Sequence, residues 1–379
     1  MKKQIFICSH TGYFSGGAET SLLLFLKNTK IDYEKILVTV PQNIEDSLIK
    51  KLQEIGLDYK FINKGTDKSS FKSYIRNPFL LLYRLFWRVL FAIRFMFLLI
   101  CLNPEVVYLN TIYCGTEALV SKILGKKVIW HIRGLGGTYK FKLPIIKHCA
   151  SLIITVANSQ KEILLSAGVK KHITVVPNGI DLKNYSCINS KNDSNCTVIG
   201  TVSRIGYSKG TDLFCQTAQE ICRSWQNVRF EYVGPVAKGE ENFFAEIQQK
   251  YFSLIQNNNL NFIGYKSNVL EYLTNIDIFL FTSRKEGSPR VILEAMAMKK
   301  AIVSFCIDGV QEQLKDGVSG FLIEPYNINE MISNLGLLIE NRTLRLEFGE
   351  MAYQALTNFS AEKYASSIDK ILLKESIRR

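Results

Sequence analysis

The chain lacks the marks of several function classes. Its nine cysteines are an odd number with no C-x-x-C pair. That pattern excludes a disulfide framework or a cysteine-built zinc site and points to free thiols in a reducing compartment. No two aspartates stand two apart, so no D-x-D motif is present to hold a divalent metal on a nucleotide sugar. The opening MKKQIFICSH has two lysines but only a short apolar run and no small-residue cleavage site, which argues against a signal peptide and for a cytoplasmic protein. Acidic residues are scarce in one half only. Residues 1–185 carry 26 Lys and Arg against 12 Asp and Glu, a balance of +14, while the remainder, 21 against 22, comes to −1. A basic half of this kind meets something anionic: nucleic acid, a membrane surface or a phosphorylated substrate.

What is present is globular in composition, 47% hydrophobic and 21% charged over 379 residues, enough for two cored domains. Short runs rich in Val, Ile, Phe and Tyr alternate with amphipathic segments. Residues 4–8, 35–40, 106–110, 128–132, 152–157 and 173–177 read as buried strands. After the Asn/Ser-rich stretch 186–195 the rhythm restarts at 197–203, 228–234, 260–264, 276–283 and 301–305. Two βαβ series predict an α/β protein of two doubly wound, Rossmann-like parallel-sheet domains facing each other across a cleft, with ligands at the carboxyl ends of the strands. The expected domains are 1–185 and 196–358, followed by a terminal helix at 359–379 that packs back on the first.

One segment departs from that rhythm. FLLLYRLFWRVLFAIRFMFLLICL, residues 79–102, is long enough for a bilayer span of roughly 20 apolar residues but carries Arg84, Arg88 and Arg94. At about 100° per residue the arginines share a band of roughly 120°, opposite a wide apolar face. Interior arginines make spanning costly, so region 60–102, with Lys60, Lys64, Lys68, Lys72 and Arg76, is read as a basic, apolar membrane-facing region lying in the interface. The alternative is a core helix whose arginines line a solvated stripe.

The chemistry concentrates in IDIFLFTSRKEGSPRVILEAMA, residues 276–297, which reads strand, loop, helix. Ser288 suits the N-cap and Pro289 the first helical position, leaving amides near Pro289, Arg290 and Val291 to face an anion. Gly287 permits close backbone approach. Glu286 and Glu294 sit where each can grip a hydroxyl-rich group of one ligand. The competing view has Glu286 complementing the helix dipole and Glu294 solvated.

EGSPRVILEAMA resembles the E-x7-E signature of retaining glycosyltransferases of the GT-B fold, family 4. GGAE (16–19), VPNGID (176–181), SRIGYSKGTDLF (203–214), YVGP (232–235), NFIGYKSNV (261–269) and DGVSGFLIEP (316–325) follow in that family's order. The resemblance implies that Arg204 and Lys209 hold the donor diphosphate, that Glu286 binds the transferred sugar and Glu294 the ribose, and that Gly16 and Gly17 form an opposing loop. His131 matches the family's histidine near the reacting sugar. Arg133, Tyr265 and Lys266 are weaker candidates for acceptor or base contacts. It further implies no metal and no cofactor, a nucleotide-sugar co-substrate, a glycan or polyprenyl-linked acceptor and front-face substitution. Its expected place is the inner face of the cell membrane, in surface polysaccharide assembly, with no nucleic-acid partner. A nucleotide-sugar 2-epimerase of the same architecture, or a basic nucleic-acid-binding protein, would share parts of this pattern.

Overall fold

The computed structural model describes residues 4–9, 17–41, 47–62, 78–135, 139–185, 196–266 and 268–377. The chain divides into two compact units. Unit 1 is Met1–Pro177 with Ala361–Arg379, and unit 2 is Asn178–Ser360. The stretch 186–195 lies outside the described residues, as do Gly16 and the cations Lys64, Lys68, Lys72 and Arg76.

Unit 1 is built on a seven-stranded sheet of β1 (Ile5–Cys8), β2 (Ile36–Pro41), β3 (Tyr59–Ile62), β4 (Val106–Leu109), β5 (Lys127–Ile132), β6 (Leu152–Thr155) and β7 (His172–Val175), ordered β3-β2-β1-β4-β5-β6-β7. Every pair is parallel. Helices cover both faces, so β1, β4 and β6 are buried along their whole length, as both-face burial requires of continuous apolar runs. Ile5 and Ile7 join one core layer, which also takes Tyr364, Ala365, Ile368 and Leu372 from the terminal helix Ala361–Ile377. Phe6 and Cys8 enter the opposite layer. Sequence reading overlooked β3, an edge strand whose Lys60 and Phe61 face solvent, because its hydrophobic signal is half that of a buried strand.

Unit 2 carries β8 (Thr197–Val202), β9 (Val228–Val233), β10 (Leu260–Gly264), β11 (Ile278–Phe281), β12 (Ala301–Phe305) and β13 (Phe321–Ile323), ordered β10-β9-β8-β11-β12-β13. All pairs are again parallel. In each sheet the strand order reverses beside the first strand, between β1 and β4 and between β8 and β11. At such switch points the loops leaving two neighbouring strands diverge and open a crevice.

The Pro78–Leu102 helix resolves the two readings of its sequence in an unexpected way. Phe91, Phe95 and Leu99 are buried against the core layer of Phe6, with the Phe6 and Phe95 rings edge to face at 5.8 Å. At about 100° per residue these three lie on the same side as Arg88 and Arg94. The side turned outward is therefore the apolar one: Leu82, Phe86, Val89, Ile93, Phe97 and Ile100 are all exposed, Phe97 by 67%. Arg88 and Arg94 do not form a separate solvated stripe opposite the core. They flank the seam by which the helix is attached, and their aliphatic stems can lie along it while the charged heads reach water.

This orientation predicts opposite behaviour for two phenylalanines two residues apart. Phe95→Ala should cost about 3–5 kcal/mol of stability through transfer loss and cavity formation. Phe97→Ala should stay within about 0.5 kcal/mol in the absence of lipid. Urea denaturation followed by tryptophan fluorescence reports on unit 1 through Trp87 and Trp130, and equal losses in the two variants would refute the orientation.

Candidate functional site

The expected donor residues of unit 2 converge on its switch point. β8 leads through exposed Arg204 into the short turn Tyr207–Lys209, which Gly210 closes in the left-handed region at φ 66°. β11 leads into the loop that carries Glu286. Lys209 Nζ and a Glu286 carboxylate oxygen meet as an ion pair across the crevice, with both side chains about four-fifths buried at 21% and 19% exposure. Ser283 Oγ donates to the same carboxylate at 3.3 Å.

The two loops are fastened by contacts that only glycine permits. A Cβ on Gly210 would stand 1.9 Å from the carbonyl oxygen of Thr282, whose hydroxyl donates back to the Gly210 carbonyl at 2.9 Å. After β12, Gly309 (φ 77°) presses on Gly287 so closely that a Cβ would lie 1.7 Å from its carbonyl oxygen. Arg284 completes the fastening. Its guanidinium makes a bidentate pair with Asp212 at 2.7 Å for each bond, donates to the Tyr207 carbonyl at 2.6 Å and lies 3.8 Å from the Tyr207 ring centroid. A planar fork that stacks and pairs at once holds one geometry, which an ammonium group would not. Arg284 thereby fixes the turn that presents Lys209. Sequence reading missed it because its partner Asp212 is 72 residues away, and SRKEG alone gives no sign of that pairing.

The helix Arg290–Ala297 starts one residue later than expected. Pro289 (φ −69°, ψ 117°) is the N-cap, Arg290 the first helical residue, and no side chain caps the helix. Ser288 does not cap it, and its groups make contacts elsewhere. Gln313 Nε2 donates to its hydroxyl at 3.2 Å, and Asn178 Nδ2 donates to its carbonyl at 2.8 Å. The capless start keeps its positive end for an outside anion. The Arg290 side chain turns away and donates to the Gly179 carbonyl at 3.0 Å, while Val291 is half-buried on the first turn.

Glu294, one turn on, is half-buried, and burial raises its carboxyl pKa above the usual carboxylate range against the opposing pull of Arg290. It is not the solvated decoration that the competing view requires. Tyr185 joins this cluster, its phenol pushed up by burial and then by the charge of Glu294. Tyr265 and Lys266 stand exposed just beyond β10.

In unit 1 the switch point holds a buried polar network. His131, in β5, is fully buried, and its Nδ1 lies 2.5 Å from the hydroxyl oxygen of Tyr108 in β4. Burial, then the charge of Arg133, drives the imidazole pKa well below normal, so the ring is neutral at pH 7. Burial likewise raises the Tyr108 phenol, which keeps its proton, and which of the two groups donates across this contact follows the imidazole tautomer. The ring's Nε2 has no hydrogen-bond partner among the described residues although it is buried. A buried polar nitrogen of this kind is costly unless something pairs with it. Arg133 donates to Asn110 Oδ1 and to the Tyr364 hydroxyl, both at 2.9 Å, and Asn110 Nδ2 donates to the Ala18 carbonyl at 3.2 Å. The guanidinium thus ties β4, the terminal helix and the start of the Gly17–Asn28 helix together within unit 1.

The site's geometry accords with what the chain resembles. Residues 188–355 match the family of glycosyl transferases group 1, and residues 46–184 match Glycosyltransferase Family 4. A capsular polysaccharide biosynthesis glycosyltransferase of Staphylococcus aureus, CapM, is 27% identical over 61% of this chain and 64% of its own length, so less than two thirds of that relative is spanned. The N,N'-diacetylbacillosaminyl-diphospho-undecaprenol alpha-1,3-N-acetylgalactosaminyltransferase of Campylobacter jejuni is 25% identical over 96% of this chain and 98% of its own. In fold, the chain is similar to Anabaena HepE solved with UDP and glucose, at a TM-score of 0.79 and 20% identity, covering 98% of this chain and 99% of HepE. Each half matches a glycosyltransferase family model and the two doubly wound sheets have the GT-B fold, so the chain resembles the family 4 glycosyltransferases.

Proposed function

We propose that this enzyme transfers a sugar from a nucleotide diphosphate donor to a glycan or lipid-linked saccharide acceptor in surface polysaccharide biosynthesis, with retention at the anomeric carbon and no metal. The observation that carries the reading is the Lys209–Glu286 pair at the unit 2 switch point beside a capless helix start. Lys209, Arg204 and the amides of Arg290 and Val291 meet the charge of the departing diphosphate, a task for preorganised donors in a partly dry site. Glu286 accepts from hydroxyls of the transferred sugar, and Glu294 accepts from the ribose. His131, neutral and with its buried Nε2 unpaired among the described residues, hydrogen-bonds the sugar. Gly16 and Gly17 leave room for the phosphates. In front-face substitution the bond from the anomeric carbon to the phosphate oxygen breaks as the acceptor oxygen bonds on the same face. The departing phosphate oxygen takes the acceptor proton, so neither glutamate becomes a nucleophile. The names of CapM and of the Campylobacter relative, one a capsule enzyme and the other acting on a diphospho-undecaprenol acceptor, support an acceptor of this class.

The outward apolar face of the Pro78–Leu102 helix supports a peripheral seat on the inner face of the cell membrane. That helix has the length and composition of a span, but the Phe91, Phe95 and Leu99 seam fastens it flat to the sheet, and a helix so attached meets a bilayer side-on. The positive half of the chain adds attraction to anionic lipid.

Four measurements test these readings. With donor and acceptor in the presence of EDTA, NMR of the product should show the donor's anomeric configuration; inversion, loss of activity on chelation, or an epimer formed from donor alone would overturn the chemistry. Lys209→Ala should lower transfer roughly 10²-fold, as expected when a leaving-group contact is removed, and weaken nucleoside diphosphate binding with it. Arg284→Ala should lower both about tenfold, without rescue by Arg284→Lys, and full activity in either alanine variant would refute its role. Finally, the protein should float with anionic vesicles at low salt, and a protein that stays in the soluble fraction would exclude the membrane seat.

A further inference from the structure

On the outer edge of unit 1, β3 and the second half of the Pro78–Leu102 helix enclose a groove of about 460 Å³. Its walls are Phe61, Ile62, Phe97, Leu98 and Cys101, and its charged lining side chains are Lys60 and Arg94. No carboxylate lines it among the described residues. Phe61 is 45% exposed at its mouth, and Lys60, Arg94 and Cys101 are exposed as well.

The groove is separate from the sugar chemistry by its place in the fold. β3 is the edge strand, two strands away from the β1–β4 switch point.

The lining discriminates among occupants. A saccharide needs acceptors and donors in pairs, and the lining side chains offer the donors of Lys60 and Arg94 without a carboxylate or amide to accept. A second copy of this chain would oppose like patches in an isologous contact, placing Lys60 and Arg94 against their own copies. An apolar trough with two cations complements an amphiphile that has one anionic head and a hydrocarbon tail. We propose that the groove binds one anionic phospholipid, with its phosphate between Lys60 and Arg94 and one acyl chain along Phe61, Phe97, Leu98 and Cys101. The inference rests on the membrane seat proposed above and adds to it a headgroup-selective site. The apolar face makes the protein adhere to any bilayer, and the groove makes it prefer a charged one.

The test uses the full chain with phosphatidylcholine vesicles, with or without phosphatidylglycerol carrying a photoactivatable group in one acyl chain. Crosslinks mapped by mass spectrometry should concentrate on Phe97, Leu98 and Cys101. The double variant Lys60→Glu with Arg94→Glu should lose the crosslink and lower the preference for phosphatidylglycerol by at least about tenfold, while still floating on neutral vesicles. Leu98→Trp, which fills the groove and keeps both cations, should lose the crosslink and retain most of the charge preference; it serves as the second variant should the double charge reversal fail to fold. Crosslinks spread over Leu82 and Phe86, or an unchanged lipid preference in the double variant, would overturn the groove while leaving the membrane seat intact. No flotation on either vesicle would overturn both. Competition by inorganic phosphate without loss of flotation supports the headgroup contact, and its absence at any concentration that leaves the protein folded counts against it.

Discussion

The largely buried pair of Lys209 and Glu286 is the contact on which the unit 2 site depends. Neither charge is solvated well enough to stand alone, so removing one leaves the other stranded in a partly apolar setting. The surroundings hold the two loops at the one separation where the pair forms. Gly210 and Gly309 allow backbone to pass backbone without a side chain between them, and Arg284 locks the turn from the far side. The donor binding proposed above, with a diphosphate beside a sugar, asks for a cation and an anion side by side. Here each serves as the other's stand-in partner.

The same sheet plan is used differently in unit 1. There the switch point holds a neutral phenol and imidazole in contact, with the second ring nitrogen unpartnered among the described residues, beside the Arg133 guanidinium. On another flank of the unit, Lys60 and Arg94 lie beside the long helix that turns its apolar side outward.

Much of this was legible in the sequence, and the parts that were not share a cause. Strands buried on both faces announce themselves as continuous apolar runs, so eleven of the thirteen were found; β3 and β13 escaped because one is half-exposed and the other has three residues. The order of motifs from Val176 to Pro325 pointed to the loops that meet at the unit 2 switch point. The Lys209–Glu286 contact joins residues 77 apart, which local pattern cannot see. The helix start at Pro289 shifted by one, and Ser288 is held by Gln313, 25 residues on. In the long helix, periodicity separates an apolar side from an arginine side but does not say which abuts the sheet. Packing decided that, through Phe6 and its neighbours.

The terminal helix carries a consequence for how the molecule is made. Its Asp369 accepts from Thr29 and from the Lys30 amide, some 340 residues earlier, and its Ile368 and Leu372 complete the core beneath β1. Unit 2, whose chain runs without interruption from Asn178 to Ser360, is fully synthesised while unit 1 still lacks one wall. During translation the later half can therefore close first. The earlier half waits with an open apolar face, beside a helix that already displays another, until the last seventeen-residue helix leaves the ribosome.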